Sequence, residues 1–145
     1  MLIVNFYDKV EDEKLKFAVI LSKVQDKWVF CKHIDRNTYE VPGGHREENE
    51  SILDAAIREL KEETGAIEFD IKPVCVYSVV SKVSNNESTI EESYGMLYYA
   101  TITNFEKELH SEIEKIILLE KMPKELTYPQ IQPKLMEKAL ELGFR

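Results

Sequence analysis

The chain alternates apolar runs with short polar breaks, and its hydrophobic period changes near the middle. "LKFAVILSKV" (15–24) and "KWVFCKHI" (27–34) are dense in Val, Ile and Phe and predict two strands, with a polar turn around Gln25 and Asp26. "TYEVP" (38–42) predicts a third short extended piece, ended by Pro42 and the pair Gly43–Gly44. "IKPVCVYSVVSKV" (71–83) and "SYGMLYYATITNF" (93–105) predict two more strands. The polar "SNNESTIEES" (84–93) between them predicts an exposed, mobile loop. Near the end, "YPQIQPKLMEKALELGF" predicts a helix from about Pro133, with Gly143 at its C-terminal cap.

Between Ser51 and Gly65 the period becomes helical. Ser51 followed by Asp54 makes a capping-box-like start, the acid standing in for the usual Glu or Gln, and Gly65 supplies the stop. At 100° per residue, Leu53, Ile57, Leu60 and Thr64 cluster as the expected core stripe. Glu59, Glu62 and Glu63 fall on another side, at spacings i, i+3 and i+4. Ala55 beside them predicts a small-residue clearing, and Arg58 stands four residues before Glu62, close enough to orient it. Strands on both sides of a central helix, with a second helix at the end, predict an α/β (α+β) fold in which helices cover a mixed sheet. No repeat or linker divides the sequence, and 145 residues suit one domain spanning 1–145.

Composition narrows the function. A formal charge of -8 and a pI near 5.0 disfavour a basic nucleic-acid surface. A phosphorylated small molecule stays compatible, because a bound cation reverses the local field. Cys31 and Cys75 show no metal-binding spacing and are expected as free core thiols in a reducing cytosol. No apolar run approaches the roughly 18 residues of a membrane span, and "MLIVNFYDKVEDEK" lacks the basic start of a signal peptide. A soluble, cytoplasmic protein is the expectation. His33, His45 and His110 lack ligand spacing and are expected at the surface, whereas Trp28, Tyr39, Tyr94 and Tyr98 are expected in the core.

The acidic helix face needs a reason. Unpaired glutamates at i, i+4 cost a few tenths of a kcal/mol, and the glycines before the helix would have no purpose on a merely solvated face. A hard divalent cation accounts for both: Mg²⁺ takes oxygen ligands and is typically held by one or two carboxylates plus substrate phosphates. Glycines let the backbone approach such a site closely.

From Gly44 to Ala66 the segment "GHREENESILDAAIRELKEETGA" resembles the Nudix box, G-x5-E-x7-R-E-U-x-E-E-x-G-U with U apolar. Gly44 opens it, Glu50 is the first acid, Arg58-Glu59-Leu60 and Glu62-Glu63 form its centre, and Gly65 closes it. Ala66 is smaller than the usual apolar residue there. The strands before the box and the final helix extend the resemblance to the whole chain, implying a Nudix-type α/β/α sandwich.

The resemblance implies a loop-helix-loop that binds Mg²⁺ or Mn²⁺ against a diphosphate. It places Glu59 and Glu63 as principal ligands, Glu62 as a ligand or bridging acid, and Gly43 as a backbone carbonyl donor. Glu50 and Arg58 support the site, with Gly44 beside them. A further acid from outside the box is expected near the last strand: Glu112, with Glu114 second. Glu62 and Glu112 are the ranked candidates for the base that takes the water proton. The implied activity is a pyrophosphohydrolase acting on a small-molecule nucleotide, a nucleoside diphosphate linked to another group, with no nucleic-acid or membrane partner and a homodimer as one option. ADP-ribose-cleaving relatives carry a proline about fifteen residues past the box, where this chain has Ser81-Lys82-Val83. Relatives cleaving dinucleoside polyphosphates carry a tyrosine slightly further on, where this chain has Ser84. These differences favour a (deoxy)nucleoside triphosphate, such as the oxidised 8-oxo-dGTP. ADP-ribose or another nucleotide sugar is the alternative substrate, and a non-catalytic Nudix-fold ligand-binding regulator is the alternative class.

Overall fold

Two apolar runs joined by a tight turn set the frame of the sheet. In the computed structural model, which describes residues 2–82, 90–106 and 113–145, β2 (Leu15–Val24) and β3 (Lys27–His33) form a hairpin. Gln25 turns it in the left-handed region at φ 55°. The two strands pair only at Lys23–Trp28 and Val24–Lys27 and then part. Into the opening between them enters β4 (Gly43–His45), antiparallel to β2 at Phe17–Val19. Just before it, Glu40 exchanges both backbone hydrogen bonds with Cys31 of β3, at 2.7 and 3.0 Å. Residues 40–46 therefore cross from one strand to the other, and this crossing carries the two glycines to the sheet's centre.

The rest of the sheet closes around that frame. β5 (Ala66–Lys82) and β6 (Ile90–Phe105) form a long antiparallel pair, β1 (Leu2–Tyr7) lines β5, and β7 (Ile113–Leu119) lines β3. The order is β1-β5-β6-β2-β3-β7, with β2 and β6 parallel, so the sheet is mixed as expected. Alternation along the strands sends Ala18, Ile20, Tyr98, Ala100 and Ile102 to one face, under α1 (Ile52–Thr64). Leu21, Phe30, Tyr77 and Leu97 go to the other, under Leu135, Met136 and Ala139 of α2 (Gln132–Glu141). The α/β/α layering follows.

Local signals at α1 hold. Ser51 Oγ accepts the Asp54 N–H at 3.0 Å, and Gly65 ends the helix at φ 75° with its N–H on Lys61 O. α2 begins at Gln132 with Pro133 in its first turn, and Gly143 follows its end at φ 94°.

Several expectations are corrected. Leu53 is 43% exposed, and Ala55 is fully buried instead of forming a clearing. The inward face of α1 is Ala55, Ala56 and Leu60, since the helix packs closely on the small Ala18 and Ala100. "TYEVP" forms isolated bridges only, and the glycine pair is itself the strand. Ile90–Ser93 belong to β6, where Glu92 accepts hydrogen bonds from Tyr7 Oη and Ser78 Oγ. The remainder of that expected loop, from 84 to 89, lies outside the described residues, as does Val83. β1 and β7, edge strands without clean alternation, went unanticipated. Both cysteines are free and buried. Trp28 and Tyr98 are core, while Tyr39 and Tyr94 are half-buried.

Candidate active site

The crossing segment and α1 meet where the acids gather. The Gly43 N–H donates to Glu63 Oε1 at 2.8 Å. A Cβ on Gly43 would stand 2.6 Å from Ala18 O, and one on Gly44 would stand 2.5 Å from the Glu59 carboxyl. Close backbone approach, not an unusual φ, is why glycine is needed at position 43, whereas a side chain at 44 would displace the Glu59 carboxyl.

Arg58 organises the outer acids. Its guanidinium grips Glu50 with two bonds, Nε to Oε2 at 2.7 Å and Nη2 to Oε1 at 3.1 Å. It also donates to Glu59 Oε1 at 2.8 Å and to the His45 carbonyl at 2.9 Å. Glu62 and Glu47 stand only at 3.5 Å from it, so Arg58 orients Glu62 loosely. The hydrogen bonds from Arg58 hold the Glu50 carboxyl down at about 2.

The inner acid is in a different condition. Burial pushes Glu63 up to about 8, the Gly43 N–H opposes that shift, and the nearby Glu59, Glu40 and Glu62 charges add to it. Burial also raises Glu59, against the pull of Arg58. Glu62 is the outermost of the three, its side chain 47% exposed. Glu63 has no arginine or lysine partner among the described residues. Its other oxygen faces His33, with Nε2 to Oε2 at 3.1 Å, and the same Nε2 stands 3.7 Å from Glu40 Oε2. These are ion-pair distances without hydrogen-bond geometry, so Nε2 has no hydrogen-bond partner among the described residues. His33 was expected at the surface and is instead largely enclosed; His45 is exposed, and its ring meets Phe17 edge-on at 4.5 Å. Neither His33 nor Glu40 carries a sequence signal, because only the crossing brings them to α1.

Glu112 and His110 lie outside the described residues, and the side chain of Glu114 is likewise not described. The structure thus gathers Gly43, Gly44, Glu50, Arg58, Glu59, Glu62 and Glu63 from the expected set.

A cleft of about 310 Å³ opens beside Gly43 and Gly44. Phe17, Val19, Tyr77 and Val79 give it apolar walls, and Ser81 and Ser93 add hydroxyls. A larger depression of about 470 Å³ surrounds Arg46 on the other side of the box loop. Arg46 is committed to scaffolding there, bonded to Asp12 Oδ2 and to the Asp12, Leu15 and Glu50 carbonyls. Glu40, Gly43 and Gly44 line the smaller cleft, and Glu63 is tied to its wall through the Gly43 N–H.

The NUDIX domain family model matches residues 12–138. This chain belongs to the Nudix hydrolase family. A curated relative, "Putative 8-oxo-dGTP diphosphatase YtkD" of Bacillus subtilis (strain 168), is 32% identical over 124 residues, 85% of this chain and 73% of the relative. The crystal structure of a variant of the Bacillus subtilis pyrophosphohydrolase BsRppH superposes with a TM-score of 0.78 at 26% identity, covering 99% of this chain and 92% of that one. A NUDIX hydrolase from Nitrosomonas europaea shares the fold, with a TM-score of 0.67 at 20% identity, covering 91% and 92% of the two chains. The protein is a nucleotide pyrophosphohydrolase that acts on phosphoric anhydride bonds of small-molecule nucleotides, in a family that generally uses divalent metal ions. No helix among the described residues is long and apolar enough to cross a membrane.

The acids suit such an ion in kind: Glu59, Glu62 and Glu63 offer hard carboxylate oxygens, and their mutual repulsion is what a cation relieves. They do not form a finished cage, for no three His, Cys, Asp or Glu side chains among the described residues converge as one. Arg58 holds Glu59 from the outside.

Proposed function

We propose that the protein hydrolyses a (deoxy)nucleoside triphosphate, an oxidised purine triphosphate such as 8-oxo-dGTP included, to the monophosphate and pyrophosphate with Mg²⁺. The observation that carries this reading is the junction of two features at Gly43–Gly44: a buried acid without a lysine or arginine partner among the described residues, and a nucleoside-sized cleft beside it. Support for the substrate comes from the 32% identical relative named for 8-oxo-dGTP, and from the residues at 81–84, which lack the proline and tyrosine of other substrate classes.

Glu59, Glu62 and Glu63 would hold the metal ion, which when bound neutralises the diphosphate and lines it up for attack by water. Arg58 keeps Glu59 in place, Glu50 fixes Arg58, and the Gly43 N–H fixes one oxygen of Glu63. The apolar walls seat the nucleoside and shield the anhydride from bulk water. A carboxylate takes the proton of the attacking water, with Glu62 and Glu112 as the candidates. The water oxygen bonds to phosphorus, the bridging P–O bond breaks, and pyrophosphate leaves.

The test is release of pyrophosphate from a triphosphate panel containing 8-oxo-dGTP, set against release of AMP from ADP-ribose, each with Mg²⁺ and with Mn²⁺. Turnover confined to ADP-ribose would move the substrate to the nucleotide-sugar class. No turnover of either would return the chain to a ligand-binding role.

A further inference from the structure

Glu63 is held from two sides, one beside the glycine pair and one remote from the Nudix box in sequence. Gly43 fixes Oε1 through its N–H. On the other side a row of side chains leads to it: Arg36 Nη1 donates to Glu40 Oε1 at 2.8 Å, Glu40 Oε2 lies 3.7 Å from His33 Nε2, and His33 Nε2 lies 3.1 Å from Glu63 Oε2. Each member has a backbone hydrogen bond or strand pairing that places it. His33 ends β3, and the Arg36 N–H closes a turn onto the His33 carbonyl at 3.2 Å. Glu40 is locked to Cys31 by its two bridge bonds. The Glu40 and Glu63 side chains are 8% and 9% exposed, so the imidazole between them is what separates two buried carboxylates.

We propose that His33, backed by Glu40 and Arg36, is a positioning residue that sets the orientation of Glu63 for the divalent cation. The inference rests on the reading of Glu63 as a metal ligand. A carboxylate fixed at one oxygen still swings about that contact; an imidazole packed 3.1 Å from the other oxygen limits the swing by its bulk and dipole. Groups that orient a ligand without touching the ion typically change metal affinity by about 10–100-fold when removed.

Binding of Mn²⁺ alone to the full-length protein, followed by the paramagnetic resonance signal of free Mn²⁺ at one fixed pH, reads this directly. Against wild type, His33→Ala should raise the Mn²⁺ Kd roughly 10-fold, and Glu40→Gln should raise it by a smaller factor. His33→Gln, whose amide nitrogen reaches the place of Nε2, should recover most of the affinity. KM for the nucleotide at saturating metal should stay at the wild-type value in both His33 variants, because His33, unlike Glu40, does not line the cleft. Glu63→Gln is the reference. If it loses Mn²⁺ while His33→Ala binds like wild type, the positioning role is overturned and the metal reading stands. Equal loss in His33→Ala and His33→Gln also overturns it. If Glu63→Gln binds Mn²⁺ normally, the metal reading falls and takes this inference with it.

Discussion

Two glutamates of one motif, Glu50 and Glu63, end in opposite electrostatic conditions. Glu50 sits under a bidentate arginine and is held at about 2. Glu63, on the buried side of α1, is pushed up to about 8 and, among the described residues, its carboxyl meets an amide N–H and an imidazole. The first has both oxygens already engaged by Arg58. The second is under-compensated, and an incoming cation gains most from such a group. Position relative to Arg58 decides which is which: a guanidinium has a fixed fork, and that fork faces away from Glu63.

The largest expected effect tests the inner acid. Glu63→Gln keeps the shape and the Gly43 hydrogen bond but removes the charge, so kcat should fall by roughly 10²-fold or more with the circular dichroism spectrum unchanged. Near-wild-type turnover at saturating Mg²⁺ would erase the distinction between the two acids.

Next comes the hub on the outer side. Arg58→Gln leaves Glu50 and Glu59 without their charged donor and should cost about 2 kcal/mol of stability. That corresponds to a fall in Tm of roughly 6 °C for a chain of this size. An unchanged Tm would mean the guanidinium network is decorative.

A pH series separates the two acids by sign. Glu63 has its folded value raised from 4.5 to about 8. Its contribution to stability is therefore full below 4.5 and lost as pH rises through about 8, at a slope on the order of 1 kcal/mol per pH unit. Glu50 has its value lowered from 4.5 to about 2, so its contribution is present above 4.5 and lost as pH falls toward 2. Melting curves in a metal chelator should show Tm declining from pH 5 to pH 8 in wild type and a flatter profile in Glu63→Gln. Glu50→Gln should flatten the acid limb alone. Identical profiles in all three proteins would refute the two environments.

The smallest effect is the control. Glu47, its side chain 67% exposed, reaches Arg58 only at 3.5 Å. Glu47→Gln should shift stability by less than about 0.5 kcal/mol and leave kcat unchanged. A larger loss would place Glu47 among the anchors of Arg58.

The sequence by itself determined the chemistry of the box and the local form of α1. Ser51, Gly65 and the i, i+3, i+4 acids act within a few residues of one another, so their geometry follows from helical spacing. The glycine pair was legible as a place of close approach, although not as a strand. Tertiary structure decided what each acid meets. Leu53 and Ala55 exchanged their expected exposures because the sheet surface beneath the helix, small at Ala18 and Ala100, set the helix's rotation. His33 and Glu40 reach Glu63 only because β2 and β3 part after two pairs and the chain crosses the gap between them. No local spacing encodes a contact between residues 33 and 63. The free energy of a buried carboxylate depends on solvent exclusion and on charges brought from distant segments, and those exist only once the sheet has closed over the helix.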